Sequence, residues 1–261
     1  MKKLLSILLV LCLALALAAC GSPSAPAVDI SGPDDLTGKT IGVQLGTTGD
    51  TYASDIEGAT IERYSKGVEA VQALKQGKID AVIIDDQPAK SFVAGNDDLK
   101  VLEEPFTDED YAICVAKENT QLKDDINAAL KELEADGVLQ QLKDYYINGV
   151  EGAQPYTSPA DADHSKGTLI MATNAEFPPY EYHDSMEAIV GFDVDLATAI
   201  CDKLGYSLQI EDMAFDSIIA AVQTGKADFG AAGMTVNEER LKSVDFTDPI
   251  CHATQVIIIR K

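Results

Sequence analysis

Residues suited to chemistry are sparse in this 261-residue chain and do not gather into a catalytic set. The three histidines, His164, His183 and His252, fall in loop-like segments without the spacing a shared metal ion demands. G-x-S-x-G, H-E-x-x-H and phosphate-cradling glycine loops are missing. No catalytic residue, metal or cofactor is therefore expected, and the weight moves from catalysis to binding. Cys114, Cys201 and Cys251 show no close pairing and no C-x-x-C, so no disulfide framework is expected. Cys201 shares an apolar helical stripe with Leu196, Ala197, Ile200 and Leu204 and reads as a buried core thiol. Asp85 is different. It closes an apolar run, where a carboxylate is costly unless something pairs with it, and so it is a candidate site residue.

The elements that would position such residues emerge when the chain is compared with itself. "VEAVQALKQGKIDAVIID" (68–85) and "DSIIAAVQTGKADFGAAG" (216–233) share an amphipathic helix, a Gly-Lys-x-Asp turn and a short apolar strand. Val68, Val71 and Leu74, like Ile218, Ile219 and Val222, recur at helical spacing, and Gly77 and Gly225 stand where a left-handed cap would end each helix. The two strands end in register at Asp85 and Gly233, and open α/β sheets bind ligands beyond their carboxyl ends. Each copy is preceded by an opening strand and loop, "KTIGVQLGTTGD" (39–50) and "GTLIMATNAEFPPYEY" (167–182). This alternation predicts parallel sheets. Two helical stretches, "QLKDDINAALKELEADG" and "VLQQLKDYYI", lead into "NGVEGAQPYTSPADADHSKG", a linker by composition.

A net charge of −23 repels polyanions and argues against a nucleic-acid partner. Lys2 and Lys3 precede an apolar run over residues 4–19 that closes in "LAAC", the pattern of a secretion signal. "LAAC" resembles the lipobox of bacterial lipoproteins, which implies that residues 1–19 are removed, that Cys20 is acylated, and that 20–32 form a flexible tether. Several acyl chains would hold such a protein on a membrane.

"TNAEFPPYEY", "IVGFDVDLATAICDKLGY", "MAFDSIIAAVQTGKADFGAAGMTVNEERLKSVDFTDP" and "LTGKTIGVQLGTTGDTYA" with "VEAVQALKQGKIDAVIIDD" resemble the polar amino-acid binding family, family 3, of the extracytoplasmic solute-binding proteins of ABC importers. The resemblance implies a two-lobed α/β fold of the type II periplasmic-binding-protein kind. Each lobe would be a mostly parallel sheet flanked by helices, and two hinge strands would join them. The order of segments is rotated relative to the family, so a circular permutation is expected, with the family's natural ends joined by the linker. Residues 33–108 would form one lobe, completed by a C-terminal strand 253–261 docked beside the strand near 40–44. Residues 109–148 would supply a hinge strand and the last helices of the other lobe, 149–166 the permutation linker, and 167–252 that lobe's beginning.

A free amino acid removed from water must have both charges met. By the resemblance Arg240, Thr235 and the Gly233 backbone would take its carboxylate, with Thr48 closing from the other lobe, and Asp85 would accept its ammonium. Guanidinium suits the first role because it makes two parallel bonds to a carboxylate. Phe177 and Phe215 match positions whose rings sandwich the ligand's stem. Asn174 stands where several relatives are acidic, which leaves Glu176 to supply a charge for a cationic side chain. Competing readings accompany each residue. Thr235 with Glu238 forms a capping box, Asn237 is an alternative cap, Arg240 could be a solvated helix charge, and both phenylalanines could be core. Gly191, Asp193 and Asp195 suit a helix cap better than a ligand contact. The implied protein is a monomeric, exported, lipid-anchored amino-acid-binding protein that serves a membrane permease. An enzyme of the same fold and a ligand-sensing domain are the alternatives.

Overall fold

The computed structural model describes residues 29–102, 104–105 and 107–261. The secretion signal 1–19, the acylation site Cys20 and tether residues 21–28 lie outside them. The tether's last stretch is packed rather than free: Ile30 is buried against Leu36 and Ile41.

The first repeat builds one sheet. β1 (Thr40–Gln44) pairs in parallel with β2 (Thr60–Tyr64) on one side and β3 (Ala81–Asp85) on the other. α1 (Thr48–Ser54) and α2 (Gly67–Lys75) form the crossovers. After α3 (Asp86–Val93), β4 (Leu99–Val101) and β5 (Thr107–Tyr111), the chain leaves this sheet and enters a second one through β6 (Cys114–Ala116). α4 (Thr120–Ala135) and α5 (Val138–Tyr146) follow.

The second repeat begins at β7 (Thr168–Thr173), and a small antiparallel ribbon of β8 (Glu176–Phe177), β9 (Glu181–His183) and β10 (Ile189–Val190) leads into α6 (Phe192–Leu204). β11 (Ser207–Asp212), α7 (Ile218–Gln223), β12 (Phe229–Gly230) and β13 (Val244–Phe246) complete that sheet, in the order β11-β7-β12-β6-β13. The chain then returns to the first sheet as β14 (Cys251–Arg260).

Each sheet is parallel across its repeat strands and antiparallel where the crossing strands enter. β14 does not dock beside β1 as the sequence suggests. Both edges of β1 are taken by β2 and β3, so β14 runs antiparallel between β3 and β4, with Ile257 opposite Ile83 and Ile258 opposite Val101. The consecutive β-branched residues Val256, Ile257, Ile258 and Ile259 are all buried, as a strand covered on both faces requires. Arg260 locks the end by donating to Leu74 O (2.7 Å) and Ile79 O (2.6 Å), at the turn that closes α2.

The segment 149–166 is anchored, which its composition does not announce. Tyr156 gives its backbone N–H to Asp195 (2.9 Å) and its hydroxyl to Asp202 (3.0 Å), while His164 meets Asp202 at 2.7 Å. All three contacts lie on α6, so one tyrosine and one histidine strap a turn-rich stretch to a helix. The expected cap of α6 also differs. Gly191 is the N-cap, with φ of 136°, and a Cβ there would stand 2.2 Å from Tyr180 O, so glycine is required. Asp193 and Asp195 make no cap bond. Both face other elements, where their side chains find donors.

Candidate ligand-binding site

Between the carboxyl ends of the two sheets lies a narrow cavity of about 10 Å³. Thr48, Asp85, Asn174, Phe177, Phe215, Gly233, Thr235 and Arg240, eight of the nine residues nominated from sequence, all line it. Glu176 does not. Neighbouring residues of a strand point to opposite faces, and with Phe177 turned to the cavity Glu176 turns away to an ion pair with Lys66.

Arg240 is buried, and its backbone N–H is taken by the Asn237 side chain (Oδ1, 2.8 Å), not by Thr235. Its Nη1 donates to Thr235 O (2.7 Å) and its Nη2 reaches across to Gly46 O (3.2 Å) on the other sheet's side. Guanidinium carries five N–H groups, so these two bonds leave donors for a carboxylate. The same group lies 5.3 Å from the Phe215 ring centroid, a cation–π contact that fixes its plane. On the opposite wall Phe177 stacks on Tyr180 with centroids 5.8 Å apart. Gly233 lines the cavity too, but its N–H is given to Asp193 Oδ2 at 2.8 Å, so the donor role implied for its backbone is already filled.

The two threonines converge on a residue that the sequence did not flag. Thr235 (2.7 Å), Thr48 (3.0 Å) and the Gln255 side-chain amide (3.2 Å) all donate to Glu109 Oε2. One buried carboxylate thus gathers a hydroxyl from each side and an amide from β14. The signal that could have found Glu109 is period two: in "TDEDY" Glu109 and Tyr111 are buried while Asp108 and Asp110 are exposed. Gln44 is a second missed bridge, donating to Asn174 Oδ1 at 2.8 Å, while Asn174 in turn donates to Met213 O at 2.9 Å.

Asp85 ends β3 buried and accepts a hydrogen bond from the Tyr111 hydroxyl. Burial, and after it the nearby Glu109 carboxylate, pushes its pKa up to about 7. An ammonium beside it would reverse that shift. Glu181 is the third missed residue. It lines the cavity fully buried, and burial together with Asp193 holds its carboxyl well above the ordinary range.

Other candidates resolve as structural. Cys114, Cys201 and Cys251 are free and buried, and burial pushes the Cys114 and Cys201 thiols up to about 12. The histidines face separate aspartates, Asp202, Asp212 and Asp110. Among the described residues no group of His, Cys, Asp or Glu could hold a metal ion, and no helix is long and apolar enough to cross a membrane.

Comparison with known proteins gives matches over parts of the chain. Residues 169–261 match the sequence model of the bacterial extracellular solute-binding proteins, family 3. The arginine-binding extracellular protein ArtP of Bacillus subtilis is 40% identical over 105 residues, which cover 40% of this chain and 41% of that protein. A probable histidine-binding protein of Neisseria gonorrhoeae is 34% identical over 110 residues, covering 42% of this chain and 41% of that protein. Among solved structures, the arginine-bound form of domain 1 from TmArgBP is 43% identical over 37% of this chain and 82% of that one, with a TM-score of 0.33. Residues 169–261 thus carry the sequence pattern of this family of solute-binding proteins. The chain spans about two-fifths of the length of the curated relatives it matches. Those relatives carry the names of binding proteins, not of enzymes.

Proposed function

We propose that the chain is the amino-acid-binding lipoprotein of an ABC importer, taking a free L-amino acid with a cationic side chain between its two lobes and presenting it to a membrane permease. The observation that carries this reading is the placement of opposite charges in one cavity. Arg240, on one side, has donors to spare for a carboxylate, and Asp85, on the other, stands ready for an ammonium. Phe177 and Phe215 supply the apolar walls for a side-chain stem, and the orphan Glu181 carboxyl supplies a partner for its cation. The names of the relatives, several of them arginine-binding, support the same class. A calorimetric screen over the common amino acids tests it. Arginine or lysine should bind tightest, and a screen won by leucine would reject the cationic assignment.

The rotated order of segments accounts for the partial matches, since an alignment that runs in one direction can follow only one side of the junction at a time. In this reading the two crossings between the sheets, 112–113 and 247–250, are the hinges about which the lobes close on ligand. An enzyme of this fold would also need a titrating group in the cleft. Asp85 and Glu181 titrate there because they are buried beside other acids, a condition that a bound zwitterion relieves. Binding is therefore the better account of both.

The anchor has its own test. Cys20→Ser should move the protein from the membrane fraction to the soluble extracytoplasmic fraction, as loss of the acyl chains requires. A variant that still sediments with membranes would remove the lipoprotein assignment.

A further inference from the structure

Two buried carboxyls, Glu181 in the cavity wall and Asp193 next to it, have no cation among the described residues to balance them. Glu181 on β9 is fully buried, and neither of its oxygens accepts a hydrogen bond from any described donor. Asp193, in the first turn of α6, is 1% exposed and commits only Oδ2, to the Gly233 N–H, while Oδ1 is without a donor. The groups that act most strongly on Glu181 are all acids: Asp193 from α6, Asp85 from the end of β3 and Asp212 from the end of β11. His183, on the same strand as Glu181, turns to Asp212 at 3.4 Å, and Lys66, opposite β8, is held by Glu176. Arg240 shares the cavity, but the carboxylates that act on it are Glu109 and Asp85, not Glu181 or Asp193.

Two adjacent carboxylates sealed from water with no counter-ion do not both stay ionised, because the second charge costs several kcal/mol. One proton between them removes the difficulty. Carried by Glu181 and donated to Asp193 Oδ1, it satisfies one oxygen of each and leaves the second Glu181 oxygen as an acceptor. The raised proton affinity of Glu181, caused first by burial and then by Asp193, is consistent with that arrangement.

We propose that the Glu181–Asp193 pair keeps one proton until a cationic side chain enters the cavity, and that the cation displaces this proton to solvent, so that capture of a basic amino acid is a proton exchange. The inference rests on the reading of the site as an amino-acid site and adds its regulation. The balance is simple. Glu181 passes from carboxylic acid to carboxylate, the proton leaves for solvent, and the ligand's side chain keeps its charge. A ligand with a neutral side chain offers no replacement for the proton, so the pair stays protonated around it. Discrimination between cationic and neutral side chains should therefore grow with pH. Asp85 must also be ionised to hold an α-ammonium, but that requirement is common to both ligands and cancels between them.

The experiment is calorimetric titration of the mature chain with L-arginine and with L-glutamine, in buffers of different ionisation enthalpy, from about pH 5 to pH 8. Arginine should release about one proton more than glutamine, and the ratio of their dissociation constants should change by up to roughly tenfold per pH unit in favour of arginine as pH rises. Asp193→Asn, which keeps an acceptor for the Gly233 N–H and offers Glu181 an amide donor, should cut the excess proton release towards zero. If glutamine does not bind, the Asp193→Asn count with arginine serves as the reference. Equal proton counts and a pH-independent ratio would overturn the exchange while leaving the amino-acid site in place. No binding of either ligand at any pH would overturn both.

Discussion

Arg240→Ala should weaken binding of L-arginine by about 2–5 kcal/mol, the scale for stranding the partner of a buried charge, or roughly thirtyfold to more than a thousandfold in Kd. The residue is buried, and its plane is fixed from three directions: by Thr235 O, by Gly46 O and by the Phe215 ring. A carboxylate entering the cavity would meet a fork already aligned, with little side-chain entropy left to lose. Asp85→Asn should cost as much by a different route. The amide oxygen still accepts from the Tyr111 hydroxyl, so the fold is spared, but no negative charge is left for the α-ammonium. The wild-type protein should imitate this variant in acid. Asp85 has its pKa raised to about 7 by burial and by Glu109, so as pH falls below that value more of it is protonated and affinity should decline. In Asp85→Asn that limb of the pH profile should be absent. Near-normal affinity in either variant, with thermal melts unchanged, would take that residue out of the site.

How far the site was legible in the sequence depends on what kind of signal carried each residue. Thr48, Asp85, Gly233 and Thr235 stand at or just beyond the ends of apolar strands, and strand ends are where a parallel α/β sheet exposes side chains to a common crevice. Those positions follow from pattern and motif together. Glu176 stays out of the cavity because a strand alternates its faces and Phe177 takes the inward one. The carboxyl in that loop that faces the cavity is Glu181, five residues on. Glu109 and Gln255 were invisible for another reason. Their hydrogen bond joins residues 146 apart, and each taken alone is a polar residue in a strand with no motif around it. Similarly, the β-branched run marks β14 as a buried strand but does not name its neighbours. Which edge was free depended on β2 having already taken one side of β1. Patterning sets which face of a strand is buried, whereas the partner on that face is decided by pieces far away in the chain.

Deleting residues 254–261 should unfold the first sheet and abolish ligand binding. β4 and β5 pair with β14, so its removal leaves both without the strand that ties them to β3. The four buried residues Val256, Ile257, Ile258 and Ile259 would each forfeit about 1.5–3 kcal/mol of burial, together about 6–12 kcal/mol, against a total domain stability of about 5–15 kcal/mol. Gln255, which ties Glu109 and Thr48 together beside the cavity, goes with them, as does the Arg260 clasp on Leu74 O and Ile79 O. A single proteolytic cut within 157–161 should do the opposite. Those residues are exposed, and Tyr156 and His164 hold the flanks of the cut to α6. The two fragments should stay together on gel filtration and bind L-arginine as the intact chain does. The contrast follows from a fold in which a strand from the end of the chain completes a sheet begun more than 200 residues earlier, while the middle of the chain is only a strap. A truncated chain that melts and binds normally, together with a nicked chain that falls apart, would mean that the sheets are built by two sequential domains and that the rotated single fold is wrong.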